Sequence, residues 1–454
     1  MIRALWFLLK VAIVIAAAIW LADRPGTVSV HWLGYAVEAP FWVALLVALA
    51  ALGIAALGYR LLRGVVRTPT RIRRFSRTRR RERGYRALTQ GMVAIAAGDA
   101  PTARKMARKA DGLLNEPPLT MLLSAQAAQL QGDERAAKQY FNAMLERPET
   151  AFLGMRGLLT QAIKSGDRVE ALALARKARN LQPNTPWLLG TLYDLEARSG
   201  DWAAAEGTLQ QAIQAGAIPT AEGRRHRTVL LLERSFEAER RGRADAALSH
   251  AQAAHDLMPG FVPAAVRLSR LLAADDRLKP AAKVVERAWR QSPHPELADV
   301  YRVVVDSYDP LTRVKLFQKL VRQSPDSAES HIALARVAME AQLWGEARQH
   351  VTRALEIEPS RRLYRLLAEL ERNERNDEAA ARDWLAKAAA APADPAWSCG
   401  SCGAVSHAWG GLCGHCGAFD SLSWKAPTVT ASLMEPGTLA PALNAPATVR
   451  PATA

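Results

Sequence analysis

Four cysteines carry the most specific chemistry in this chain of 454 residues, and all four fall within eighteen positions near its end. They form two knuckles, Cys399-Gly400-Ser401-Cys402-Gly403 and Cys413-Gly414-His415-Cys416-Gly417. In each, a Gly beside the second Cys lets backbone N–H groups approach the thiolates, and two such turns complete a tetrahedral four-sulfur site. Cys399, Cys402, Cys413 and Cys416 are therefore the expected metal ligands. Four thiolates fit structural zinc, or iron in a rubredoxin-like centre, and the ligand set alone does not choose. Zinc is the favoured ion, because a structural ribbon in a reducing compartment needs no redox chemistry. His407 and His415 are expected to be exposed and outside the ligand set, and two disulfides or a thiol–disulfide catalyst fit paired knuckles less well.

A ribbon over 396–425 is too small to build its own core, so metal binding is expected to supply most of its folding free energy. Trp397, Trp409, Phe419 and Trp424 are expected to pack around the metal. The tail, 426–454, is rich in Pro, Ala and Thr and is expected to be disordered.

The elements that carry the ribbon are helical repeats. Gly-Asp occurs at Gly98-Asp99, Gly132-Asp133, Gly166-Asp167 and Gly200-Asp201, at intervals of 34 residues. That period marks a helix-turn-helix repeat, with Gly as the turn and Asp as N-cap of the second helix. Five residues after each Gly stand Ala103, Ala137, Ala171 and Ala205; twelve after stand Ala110, Met144, Ala178 and Ala212. The phase resumes at Gly242 and Asp276, and counting back from Pro359 places another turn at Gln342. Pro183, Pro259 and Pro293 close second helices. A weaker unit ends near Pro325, where Arg313 occupies the small position, as a degenerate repeat or a spacer. A last helical pair runs over about 361–391.

At the other end, 4–22 and 39–60 are apolar and long enough to span a bilayer, with 23–38 expected as the turn of a helical hairpin. The net charge of +16 is concentrated just beyond: residues 60–86 hold twelve Arg against Glu82. This asymmetry predicts a cytoplasmic C-terminal side. The basic run is expected to lie on anionic headgroups, with membrane lipids as its partner, and aromatic residues are too few for a nucleic-acid platform.

No phosphate loop, nucleophile elbow or His-Glu-x-x-His motif occurs, so no enzyme is expected and no catalytic or cofactor-binding residue is assigned. His226, His250, His255, His294, His331 and His350 are expected to be solvated or helix-terminal, and Arg224, Arg225 and Arg227 to form an exposed helix face.

These landmarks define an all-α chain with a small zinc ribbon. Its expected parts are a transmembrane hairpin over 1–66, a basic segment over 67–86, a tetratricopeptide-repeat solenoid over 87–395, the ribbon and the tail. The repeats resemble the tetratricopeptide family, whose groove binds a peptide or partner helix. The whole combination resembles the HemY family of proteobacterial inner-membrane proteins, in the form ending like Cys-Gly-Ala-Phe-Asp-Ser-Leu-Ser-Trp, here Cys416 to Trp424. The resemblance implies a multi-pass inner-membrane scaffold associated with late haem (protohaem) biosynthesis, with haem-biosynthesis enzymes as partners. Alternatives are a haem or porphyrin carrier, an electron-transfer protein, or an adaptor for lipopolysaccharide assembly like the LapB group, which joins an anchor, repeats and a rubredoxin-like module.

Overall fold

The computed structural model describes residues 2–427, apart from 24–25, 33–34, 115 and 307; the expected disordered tail lies almost wholly outside the described residues. Two compact units divide at 133/134.

The first unit opens with helix α1 (Ile2–Ala22), then strands β1 (Thr27–Trp32) and β2 (Tyr35–Pro40), then helix α2 (Phe41–Ala96). The connection expected as a plain turn is thus an antiparallel hairpin, with Val30 opposite Val37. Alternating Thr27-Val28-Ser29-Val30 supplies the β-branched residues that favour an extended ladder over a helical turn. Among the described residues one helix is long and apolar enough to cross a membrane, over Phe41–Arg60, while α1 offers the shorter apolar stretch Leu5–Ala17. The two-span expectation is therefore not supported.

The basic segment is part of α2, uninterrupted from the apolar stretch to the first repeat. Its far end is used for packing as well as charge. Arg80 donates to the Gly112 carbonyl at 2.8 Å, and Arg81 pairs with Glu116 at 2.7 Å. These contacts hold α2 to the last turn of α3 (Ala100–Leu113) and to the segment after it. Gly84 and Gly91 let α2 approach closely, since a Cβ there would lie 2.5 Å from Leu114 and 2.8 Å from Leu123 of α4 (Pro117–Leu130).

The second unit is built from helix pairs: α5 (Glu134–Leu145), α6 (Pro148–Ser165), α7 (Arg168–Leu181), α8 (Pro186–Ser199), α9 (Trp202–Gln214), α10 (Thr220–Arg240), α11 (Ala244–Leu257), α12 (Val262–Ala274) and α13 (Leu278–Trp289). It continues through α14 (Pro295–Val304), α15 (Pro310–Gln323), α16 (Ala328–Glu340), α17 (Trp344–Ile357), α18 (Arg361–Arg375) and α19 (Glu378–Ala390). This is a tetratricopeptide-repeat solenoid.

Every turn residue placed by the 34-residue phase has left-handed backbone. The five glycines have φ of 70–78°, and Asp276 and Gln342 adopt 54° and 58° without the freedom of Gly. Asp99, Asp167 and Asp201 cap the following helices through the backbone N–H groups of Thr102, Glu170 and Ala204. Small positions five and twelve residues after the turns are fully buried, from Ala103 and Ala110 through Ala347 and Ala354. A methyl fits where the paired helices approach most closely, and Met144 is the one larger side chain among these positions.

The unit ending near Pro325 is a helix pair, not a spacer. Arg313 lies on α15, where it reaches out to Asp306 at 3.0 Å. Trp289 and Tyr301 fill the core instead, with the Trp289 indole donating to Ser330.

The fold predicts a steep size limit at the small positions. Ala205→Leu is expected to overpack α8 against α9 and cost about 1–3 kcal/mol. A lowered thermal midpoint by circular dichroism, with Ala204→Leu as the half-exposed control, checks this.

Candidate metal centre and its seat on the repeats

Strands β3 (Ala396–Cys399), β4 (Val405–Ser406) and β5 (Leu422–Lys425) form a small antiparallel sheet in the order β4-β3-β5. Each knuckle closes on a left-handed Gly, Gly403 at φ 75° and Gly417 at 69°. The sequence-predicted ligands come together: the Sγ atoms of Cys399, Cys402, Cys413 and Cys416 all lie within 4.8 Å of one another.

The Cys399–Cys416 and Cys402–Cys413 Sγ separations are both 3.8 Å. That is the sulfur–sulfur edge, about 3.8 Å, of a tetrahedron with metal–sulfur bonds of about 2.3 Å. It is far too long for a disulfide bond, and all four cysteines are free. Burial pushes the Cys402 thiol up to about 12 and also raises Cys416. Burial acts the same way on Cys399, but the Ser421 hydroxyl and the backbone N–H groups of Cys402 and Ser401 outweigh it and bring it down to about 6. Four sulfurs held this close together could bind one metal ion, which would stabilise their thiolates. The donor set thus fits one metal ion, while His407 and His415 are exposed.

Tertiary structure adds a seat for this ribbon. After α19 the chain turns back: Arg361 of α18 donates to the Ala391 carbonyl, and the Arg362 backbone N–H to Asp394. The ribbon then packs on the first helices α8, α10 and α14 and on the start of α12. This is the face that repeat proteins use to bind partners.

Arg225 on α10 donates from Nε and Nη2 to the two carboxylate oxygens of Asp420, at 2.6 and 2.9 Å. The Asp420 side chain is only 5% exposed, so it depends on that partner. Beside it, Phe419 meets Tyr193 edge-on at 6.1 Å, His226 at 5.5 Å and Trp202 at 6.4 Å between ring centres. About two helical turns along α10, the Glu233 carboxylate accepts the Gly411 N–H at 2.7 Å. Burial raises the Glu233 carboxyl above its usual range, partly offset by that N–H. At Gly411 a Cβ would lie 2.8 Å from Glu233 Cγ, so only Gly permits this approach.

At the far end, the Trp397 indole donates to Glu296 at 2.6 Å, and His294 packs against Trp424 at 4.4 Å and Trp397 at 5.4 Å. Phe261 meets Trp409 edge-on at 5.5 Å.

Several expectations change here. Arg225 is an ion-pair residue rather than part of a solvated face. His255 and His294 are helix-terminal as expected but buried, and His331 is buried on α16. Phe419 inserts between repeat helices instead of surrounding the metal, whereas Trp397, Trp409 and Trp424 pack on the cysteine core as expected and also touch the repeats. Of the groove residues that receive the ribbon, Tyr193, Glu233 and Glu296 had no signal in the sequence, since each is an ordinary residue of an amphipathic helix.

With this geometry in place, comparison with known proteins is decisive for the first unit. A model of the HemY protein N-terminus matches residues 26–132, and a tetratricopeptide-repeat model matches 314–370. The chain carries a HemY N-terminal domain joined to tetratricopeptide repeats. It is also 28% identical over 464 residues to the probable magnetosome protein Mms48 of Magnetospirillum gryphiswaldense, covering 98% of each chain. Among solved structures, MamA is matched over 34% of this chain and 92% of that one, at 13% identity and a TM-score of 0.25. Naa15/Naa10 bound to HypK-THB is matched over 68% and 63%, at 13% identity and a TM-score of 0.34. At such scores the likeness carries no functional information.

Two measurements test the seat. Arg225→Ala leaves Asp420 buried without its partner and is expected to weaken docking by roughly 1.5–3 kcal/mol, held to that range by the solvent open to Arg225. Loss of hydrogen-exchange protection on α10 and β5 reads this out. Docking is also expected to weaken as pH falls. Burial, and then the charge of Arg362, push His294 down to about 4, while the undocked residue titrates near 6.5. The undocked state therefore takes up the proton first. The contribution of His294 is complete above about 6.5 and declines toward 4. Comparing protection at pH 7.0 and about 5.5 in the unsubstituted chain and in His294→Gln, which is expected to flatten the slope, isolates this group from acid effects on the thiolates.

Proposed function

We propose that this chain is a non-enzymatic scaffold, anchored at the bacterial inner membrane, that collects protein partners and is associated with late haem biosynthesis. The observation that carries the reading is the continuity of α2. One helix runs from the apolar stretch Phe41–Arg60 into the first repeat, within the region matched by the HemY N-terminal domain. The apolar stretch and the first repeat thus share one helix.

The twelve Arg residues of 60–86 follow the apolar stretch, and the positive-inside rule assigns the repeats and the cysteine ribbon to the cytoplasm. In that reducing compartment, Cys399, Cys402, Cys413 and Cys416 hold zinc. The ion stabilises four thiolates and ties both knuckles to one point, giving the ribbon a fold that its few apolar residues cannot supply. The haem association rests on the HemY N-terminal domain, and the partners follow as haem-biosynthesis enzymes.

Cross-linking in intact membranes, followed by purification of the full chain, is expected to recover membrane-associated enzymes of that process together with stoichiometric zinc. Recovery of no protein would retire the scaffold. A shifted haem absorption band on titration with haem would favour a carrier instead, and a coloured iron-containing preparation would favour electron transfer.

A further inference from the structure

The ribbon does not fill the groove with generic apolar contact. One insertion is a dipeptide, Phe419-Asp420, read by two different devices on neighbouring first helices. Tyr193 of α8 and His226 of α10 meet the Phe ring, and the planar fork of Arg225 takes both oxygens of the carboxylate. Bidentate Arg–carboxylate pairing is specific in direction as well as charge. Asp420 is presented from left-handed backbone, φ 46°, at the turn where its own N–H donates to the Gly411 carbonyl. An aromatic side chain and an acid are thus held out from the second knuckle like a short peptide epitope.

The fit is incomplete. Tyr193 Oη, His226 Nδ1, His294 Nε2 and Trp409 Nε1 are buried around this interface with no hydrogen-bond partner in the protein. Optimised cores satisfy such groups, and each one left unpaired lowers the net gain from docking. The ribbon's own sheet and cysteine cluster do not depend on the groove for their backbone pairing. Its attachment runs through a single strand crossing, residues 391–395. A segment held by a tether competes at high effective concentration without needing high intrinsic affinity.

We infer that the groove between α8 and α10 is a recognition site for a partner segment carrying an aromatic residue followed directly by a carboxylate, and that Phe419-Asp420 occupies it in cis. This rests on the reading of the chain as a protein-binding scaffold and names the chemistry of its partner. Arg225 selects the carboxylate; the cleft formed with Tyr193, Trp202 and His226 selects the ring. The occupied state is the closed state of the scaffold.

The test uses the full chain in detergent and the labelled peptide Gly-Ala-Phe-Asp-Ser-Leu, the sequence of residues 417–422. Phe419→Ala combined with Asp420→Ala keeps all four cysteines, and metal content verifies that the ribbon remains folded. This variant is expected to bind the peptide by fluorescence anisotropy at least about tenfold tighter than the unsubstituted chain, because the tethered competitor is gone. Replacing Asp by Asn in the peptide, or adding Arg225→Ala to the protein, is expected to weaken binding about tenfold. Equal binding of the Asp and Asn peptides overturns the inference, as does no binding by a metal-loaded variant whose α10 has lost hydrogen-exchange protection. Continued protection of α10 in that variant also overturns it, since the dipeptide would then not be what closes the site. Membrane cross-linking of the unsubstituted chain separates the two readings. Protein partners recovered alongside an ignored peptide sink this inference and leave the scaffold, while a bound peptide with no partners does the opposite.

Discussion

Close approach of the two helices in each pair is the constraint from which the rest of the molecule follows. It demands a methyl where a larger side chain would hold the backbones apart. Ala171, Ala205 and Ala247, five residues after their turns, and Ala178, Ala212 and Ala254, twelve after, are all fully buried. Reversal of the chain between two helices that close demands left-handed backbone, which Gly adopts freely and Asp276 and Gln342 adopt at a cost. Repeating that geometry stacks the first helices side by side and leaves them facing one way. The groove is a consequence of the alanines.

The ribbon shows how a domain too small for its own core is kept folded. Four thiols converge on one point, and Trp397 and Leu422 close over them. Trp409 and Trp424 pack against this core and also reach the repeats. Phe419 and Trp409 complete clusters centred on the repeats, so ribbon and solenoid share part of one apolar interior. The ion pair of Arg225 with Asp420 and the Glu233–Gly411 hydrogen bond fix the register of that contact. Apolar burial supplies the gain; the polar contacts supply the specificity.

Much of this was legible beforehand, because the cysteine spacing and the 34-residue phase are local signals. A Cys-x-x-Cys-Gly turn is specified by five residues, and a repeat turn by one Gly and the Ala five positions on. Even the degenerate unit with Arg313 betrayed itself by its closing Pro325. The membrane end was read less well. Apolar length suggested two spans joined by a turn, whereas β1 and β2 pair antiparallel between α1 and α2 and, among the described residues, only Phe41–Arg60 is long and apolar enough. Hydrophobicity measures transfer to an apolar medium and does not report how the connecting backbone satisfies its hydrogen bonds.

By itself the sequence determined the helix pairs, their turns, the small positions and the four-cysteine knuckles, since each depends on residues within about one repeat length of each other. Only the tertiary structure decided where the ribbon sits. Arg225 and Asp420 are 195 residues apart, and Glu233 and Gly411 are 178. No periodicity links such residues; their meeting depends on the accumulated rotation of the intervening repeats and on the return of the chain past α18. A solenoid adds a small rotation per repeat, so local rules fix each step, and the sum of the steps fixes which distant surfaces meet.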